Sequence, residues 1–310
     1  MRYNIFIEPQ QGATYDKELE IARLAELLGF NGYFRSDHFL KMGNVSGLPG
    51  PTDSWISLAG IARETSTIRL GTLLSSATFR YPGHLSIMVS QVDHMSNGRV
   101  ELGLGAGWYE DEHSAYGIPF PDQGTRFERL DEQLAILTGI WGTPSGESFS
   151  FDGKHYHLES CPALPKPLQS PHPHLIVGGL GEKRTPRMAA RYADEYNLPF
   201  ASLDTFKSQQ PLADAACERI SRDPSSLERS IALVACCGTS EAEFIKRAAA
   251  IGREPSELRT NGIAGLPGEA IEKLNQFREA GATSIYLQVL DLDDTELIEL
   301  IANDILPHAS

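Results

Sequence analysis

Along the first 140 residues, short apolar runs alternate with longer stretches whose apolar residues recur at helical spacing, the pattern of repeated βα units around a parallel sheet. Tyr3 to Ile7 reads as a first strand; in the Asp16 to Leu28 segment, Ile21, Leu24 and Leu28 then share a stripe that Gly29 ends. Gly32 to Ser36 predicts a second strand. The helix after it starts at Ser54, with Trp55, Leu58, Ala59 and Ala62 on one face and Asp53 or Ser54 as its cap. Ile68 to Leu74 and Val100 to Leu104 supply strands three and four. Pro82 opens the helix between them, with Leu85, Val89 and Val92 inward, and after a long loop Phe127, Leu130, Leu134, Leu137 and Trp141 line a fourth helix.

Between Gly142 and Pro173 the rhythm breaks, and Phe149 to Leu158 predicts an inserted hairpin turning at Asp152-Gly153. Strands resume at His174 to Gly178, Asp194 to Leu198, Ile231 to Cys236 and Ser284 to Val289. Extra sequence from Arg253 to Pro267 precedes the last of these, and a stripe of Ile271, Leu274 and Phe277 ends at Gly281. Eight βα pairs predict an α/β fold, a single (β/α)8 TIM barrel over residues 1–310 with a hairpin insertion after helix four. A doubly wound open sheet is the competing fold, although no Gly-x-Gly-x-x-Gly follows the first strand.

The hydrophobic share of 41% and charged share of 22% leave ample apolar surface for a large core. A net charge of −14 without clustered Lys and Arg argues against nucleic acid as a partner. No stretch approaches the roughly 18 apolar residues of a membrane span, and no basic-then-apolar leader opens the chain, so the expectation is a cytoplasmic protein acting on a small molecule. Cys161, Cys217, Cys236 and Cys237 follow no CxxC spacing and read as reduced thiols.

In such a barrel the chemistry gathers at the carboxyl ends of the strands. Strand two ends in Ser36-Asp37-His38-Phe39, an ionisable pair in which the Asp37 carboxylate is placed to orient the His38 imidazole; the plainer alternative is a histidine bonded to backbone. The Gly71 to Pro82 run invites a bulge at strand three, or a plain strand exit. Gly103, Gly105 and Gly107 leave one face of strand four bare for a planar ligand or for close packing. Val177 to Thr185 combines glycines, cations and a helical run beginning near Pro186, which suits an anion cradle, against the alternative of a solvated loop. His155-x-His157, His172-x-His174 and the acidic Glu110 to His113 cluster lack a ligand spacing, so no metal is predicted.

Together, Ser36-Asp37-His38-Phe39, the Gly71 to Pro82 run, Asn97-Gly98-Arg99 through Gly107, and Gly179 to Thr185 followed by Ala189-Ala190-Arg191-Tyr192-Ala193-Asp194 resemble the luciferase-like monooxygenase superfamily. The likeness spans nearly the whole chain and is nearest to the branch that uses the deazaflavin coenzyme F420. It implies that His38 serves as proton donor or stabiliser during hydride transfer, with Asp37 beside the ring. It implies a ring site at Ser36, Thr72, Leu73, Leu74 and Ser75, with a cis peptide at or near Leu73-Leu74, flanked by Gly105, Ala106, Gly107 and Trp108. By the same resemblance Gly178, Gly179, Gly181, Glu182, Lys183 and Arg184 hold the phosphate of the tail, and the Ser54 to Glu64 and Pro82 to Ser96 regions pair in a homodimer. Relatives that oxidise sugar phosphates carry a glutamate where this chain has Trp108, which leaves Glu110 or Glu112 as candidates for the missing acid. Trp55, Phe79, Tyr81, Trp108, Tyr109 and Phe120 predict an apolar or aromatic pocket wall. The alternatives are an FMN-dependent monooxygenase fed by a separate flavin reductase, and a non-catalytic flavin-binding barrel.

Overall fold

A computed structural model describes residues 1–309. Its first half runs β1 (Arg2–Ile7), α1 (Tyr15–Leu27), β2 (Gly32–Arg35), α2 (Ser54–Glu64), β3 (Arg69–Ser76), α3 (Pro82–Ser96), β4 (Val100–Gly105), α4 (Glu110–Ala115) and α5 (Gln123–Gly142). The hairpin β5 (Phe149–Asp152) and β6 (His157–Cys161) follows, then β7 (His174–Gly178), α6 (Arg184–Tyr192), β8 (Glu195–Pro199) and α7 (Leu203–Glu218). The chain ends with β9 (Glu228–Cys237), α8 (Glu241–Ala250), α9 (Pro255–Asn261), β10 (Ile263–Gly265), α10 (Pro267–Glu279), β11 (Ser284–Val289) and α11 (Thr295–Leu300).

The local signals behave as their chemistry requires. Asp53, not Ser54, caps α2, its side chain accepting from the amides of Trp55 and Ile56, and Pro82 opens α3. Two segments differ from expectation. The hairpin turns through Gly153 to Tyr156, whose backbone groups bond at 3.0 Å, so its second strand extends to Cys161. The extra sequence from Arg253 to Pro267, given no element by its pattern, forms α9 and the short β10 beside β9.

Strands β1, β2, β3, β4, β7, β8, β9 and β11 are parallel and form one ring, closed where β8 pairs with β9 at Leu198 and Ile231. The fold is therefore a (β/α)8 barrel, and the open sheet is excluded. The hairpin forms a separate two-stranded sheet. Among the described residues, no helix is long and apolar enough to cross a membrane.

The barrel interior divides into layers. Phe6, Phe34, Leu73, Ile176, Ala232 and Tyr286, from six strands, make an apolar plug. Beneath it, at the amino ends of the strands, Arg2 pairs with Glu101, Glu195 and Glu228, and Arg69 pairs with Glu101. His174 Nε2 lies 3.2 Å from Glu195, whose other oxygen accepts from the Tyr286 hydroxyl at 2.7 Å. Glu101, His174 and Glu195 offer donor atoms within 4.8 Å of one another, the spacing of a metal cage, but the Arg2 guanidinium lies against both carboxylates and supplies the positive charge.

Burial disfavours the His174 imidazolium, but the bond to Glu195 and the charge of Glu101 outweigh it and raise its pKa from 6.5 to about 9. A histidine pKa raised by folding stabilises most below its unfolded value, and that stability disappears as pH climbs through the folded value. Urea titrations of wild type and His174→Gln should therefore show wild type losing up to about 3 kcal/mol relative to the variant between pH 6.5 and 9. Parallel curves for the two proteins would contradict this.

Candidate active site

The carboxyl ends of the barrel strands open into one cleft of about 480 Å³. Glu8 reaches it from beyond β1, Ser36 and His38 from beyond β2, Leu73 to Ser76 from β3, and Gly105 to Trp108 from the end of β4. Across the cleft stand Gly178 to Gly181, Asn197 and Phe200, while Gln123, Arg126 and Phe127 of α5 form one side. His38 and the Gly178 to Gly181 backbone thus share one space.

The floor is the β3 bulge. Pairing with β4 slips between Thr72 and Ser75, and the Leu73-Leu74 peptide is cis. A Cβ on Gly103 would sit 2.5 Å from Leu74 Cδ2, and one on Gly178 would sit 2.7 Å from Leu74 Cδ1. The bare face of β4 therefore makes room for the Leu74 side chain, and Leu74 in turn forms the shelf beneath any ligand. Thr72 lies outside the cleft, its hydroxyl donating to the Gly103 carbonyl at 3.1 Å.

The ionisable groups are arranged differently from the sequence reading. Asp37 is buried and faces Arg80, with which it forms an ion pair, and it accepts from the Ser75 hydroxyl at 2.7 Å. Burial would raise its carboxyl, but the Arg80 charge and these hydrogen bonds hold it below the ordinary aspartate range. Arg80 also bonds Asp53, the α2 cap, at 2.6 Å, so Asp37 joins β2, β3 and α2 and does not line the cleft. The carboxylate on His38 belongs instead to Glu112 of α4. Its Oε1 lies 2.9 Å from His38 Nδ1, and its Oε2 accepts from the Phe39 amide at 2.9 Å. Glu110 is exposed. Beyond β1, burial pushes the Glu8 carboxyl above the ordinary glutamate range, against the opposing pull of the His38 charge and bonds from Gln11 and Gln10. Glu8 follows the first strand directly, and inspecting that strand end would have found it.

At the far end of the cleft, α6 begins without a side-chain cap, leaving its first amides free. Thr185, in its first turn, is buried and lines the cleft. The Arg126 guanidinium also lines it, and its Nε is buried without a hydrogen-bond partner among the described residues. These donors suit an anion such as a phosphate. Glu182, Lys183 and Arg184 do not join them: all three are exposed, and the Arg184 guanidinium lies 5.5 Å from the Phe127 ring centre. Nothing in the local sequence of α5 pointed to Arg126, because only the tertiary approach of α5 to α6 brings it there.

Of the six aromatics expected as pocket wall, only Trp108 lines the cleft. Trp55 is buried in the core, and Phe79 and Tyr81 line a separate groove with Phe39 and Arg80. Phe120 packs on His113 at 4.5 Å, and Tyr109 stacks on Trp108. Phe6, Phe127 and Phe200 supply the cleft's other aromatic surface.

A family profile described as luciferase-like monooxygenase matches residues 1–284. The chain is 28% identical over 314 aligned positions to an F420-dependent glucose-6-phosphate dehydrogenase of Beutenbergia cavernae, covering 92% of this chain and 90% of that protein. Its fold superposes on an F420-dependent secondary alcohol dehydrogenase in complex with an F420-acetone adduct, with a TM-score of 0.85 at 18% identity, over 100% of this chain and 99% of that one. It also superposes on the oxygenating constituent of 3,6-diketocamphane monooxygenase from Pseudomonas putida in complex with FMN, with a TM-score of 0.76 at 19% identity, over 99% and 98% of the two chains.

The buried ion pair makes Asp37 a structural residue. Asp37→Asn should cost about 1–3 kcal/mol of stability by leaving Arg80 with only the partly exposed Asp53 as counter-charge, measured by urea denaturation. Unchanged stability with lost turnover would assign Asp37 to the chemistry instead.

Proposed function

This chain belongs to the luciferase-like monooxygenase family, and we propose that it is an F420-dependent oxidoreductase moving a hydride between the deazaflavin and a small apolar or aromatic organic substrate. The observation that carries this reading is a single cleft lined by His38, whose Nδ1 faces Glu112, by the uncapped start of α6 with Arg126, and by Leu74 on the β3 bulge. F420 is preferred over FMN because the Beutenbergia relative that matches nearly the whole chain uses it.

The residues present suit that coenzyme. The Leu73-Leu74 bulge and the Gly105 to Trp108 backbone would support a flat ring, with Ser36 and Ser75 at its margin. The Gly178 to Gly181 backbone, Thr185 and Arg126 would take the phosphate, the backbone and Arg126 doing what Glu182, Lys183 and Arg184 do not. Bound F420 supplies two-electron hydride chemistry. His38, bonded to Glu112 through Nδ1, has no partner for Nε2 among the described residues, so Nε2 is free to exchange a proton with substrate. Glu8, held above the usual glutamate range beside His38, is a second proton-holding group in the cleft. Phe6, Phe127 and Phe200 give the cleft apolar surface that suits an apolar or aromatic substrate.

Homodimerisation through α2 and α3 belongs to the same proposal, supported by Ile56 and Ile87, which expose apolar surface on those helices. An FMN-dependent monooxygenase served by a separate flavin reductase is the second reading, supported by the FMN complex among the structures that share the barrel and by a pyrimidine monooxygenase of Stutzerimonas stutzeri that is 30% identical over 70% of this chain.

A panel of secondary alcohols with F420, followed by loss of the oxidised ring's visible absorbance, tests the activity. His38→Ala should lower kcat about 100- to 10,000-fold while F420 still binds; unchanged turnover would remove His38 from the chemistry. Arg126→Ala should weaken F420 binding by about tenfold and leave binding of the phosphate-free ring–ribityl fragment unaltered. Equal loss for both ligands would contradict the phosphate assignment.

A further inference from the structure

Glu112 sits in the six-residue helix α4, far along the chain from His38, and is 1% exposed. Its two oxygens face His38 Nδ1 at 2.9 and 3.1 Å, and Oε2 also accepts from the Phe39 amide. A carboxylate can only accept, so a Glu112 carboxylate that accepts from the Phe39 amide and faces Nδ1 calls for a proton on that nitrogen. The Trp108 and Tyr109 rings stand edge-on to the imidazole, with ring centres at 5.7 and 6.1 Å.

We propose that Glu112 is a positioning residue that fixes the His38 tautomer, holding Nδ1 protonated so that Nε2 alone exchanges protons with the substrate in the cleft. The inference rests on the reading of His38 as the acid–base group. It reassigns Glu112, which borders the cleft but is 1% exposed with both oxygens turned to His38 and Phe39, from a replacement for the acid missing at Trp108 to a group that acts through the histidine. With F420 bound to supply hydride acceptance, the role of His38 in alcohol oxidation would be to take the O–H proton on the bare Nε2 as the carbonyl forms. In reduction, the imidazolium returns that proton from Nε2 to the oxygen. Glu112 only orients the ring in both directions, as the orienting carboxylate of a catalytic triad does. Free imidazole in water favours the other tautomer, so without Glu112 Nε2 would carry the proton and could not accept one.

Histidine-selective 15N NMR of the F420 complex tests this directly, with His38→Gln identifying the His38 signals among the nine histidines. The proposal predicts that neutral His38 in wild type has a protonated Nδ1 and a bare Nε2. Glu112→Ala should move the proton to Nε2 and lower kcat about 10- to 100-fold, with KM and F420 affinity within about threefold of wild type. Glu112→Gln, whose amide oxygen still accepts from Nδ1–H, should keep the wild-type tautomer and recover part of the lost kcat. A protonated Nε2 in wild type overturns the proposal without any variant. So does a tautomer, or a kcat, that is unmoved in folded Glu112→Ala. If His38→Gln turns over normally, the acid–base reading itself fails, an outcome distinct from an unmoved tautomer.

Discussion

The structure depends on the pairing of β8 with β9. That ladder, running from Glu195 opposite Glu228 to Pro199 opposite Ala232, closes the sheet into a ring. Without it, the strand ends that carry His38 and Gly178 would fan along an open edge. With it, loops from both halves of the chain face one another across a single cleft, each anchored on a barrel strand or the helix that follows it.

Closure also creates an interior that must be filled, and this chain fills it unevenly. The amino end holds a charge-balanced set of three carboxylates, two arginines and His174. The middle is the apolar plug around Phe34 and Tyr286, whose rings meet edge-to-face at 4.8 Å. Only above that plug does the interior open. The division separates stability from chemistry: the ion cluster lies at the end of the barrel remote from ligand, and the groups that face the cleft are few and individually held. Asp37 and Glu112 show the same separation at close range, one tying β2 to β3 and α2, the other gripping His38.

Much of the architecture was legible, because strand and helix periodicity are local. The eight strands, the Asp53 cap, the inserted hairpin and the cis Leu73-Leu74 bulge all stand where sequence or resemblance put them. The site was less legible, for a physical reason. Asp37 adjoins His38 in sequence, yet along an extended backbone neighbours point to opposite sides, so the adjacent carboxylate faces Arg80 and a distant one reaches the imidazole. The cations of Lys183 and Arg184 read as an anion cradle, but they lie on the exposed start of α6, while Arg126 enters the cleft from another helix. The aromatic wall failed likewise: Trp55 repeats at helical spacing and belongs to the core face of α2, whereas Phe6 and Phe200 mark strand ends.

The proposed function makes this cleft a deazaflavin site. Equilibrium fluorescence titration of the purified protein with F420 and, separately, with FMN tests that most directly. Saturable binding of F420 at least about tenfold tighter than FMN, a difference of about 1.4 kcal/mol, is the predicted result. Tighter binding of FMN, or no binding of either, would contradict it.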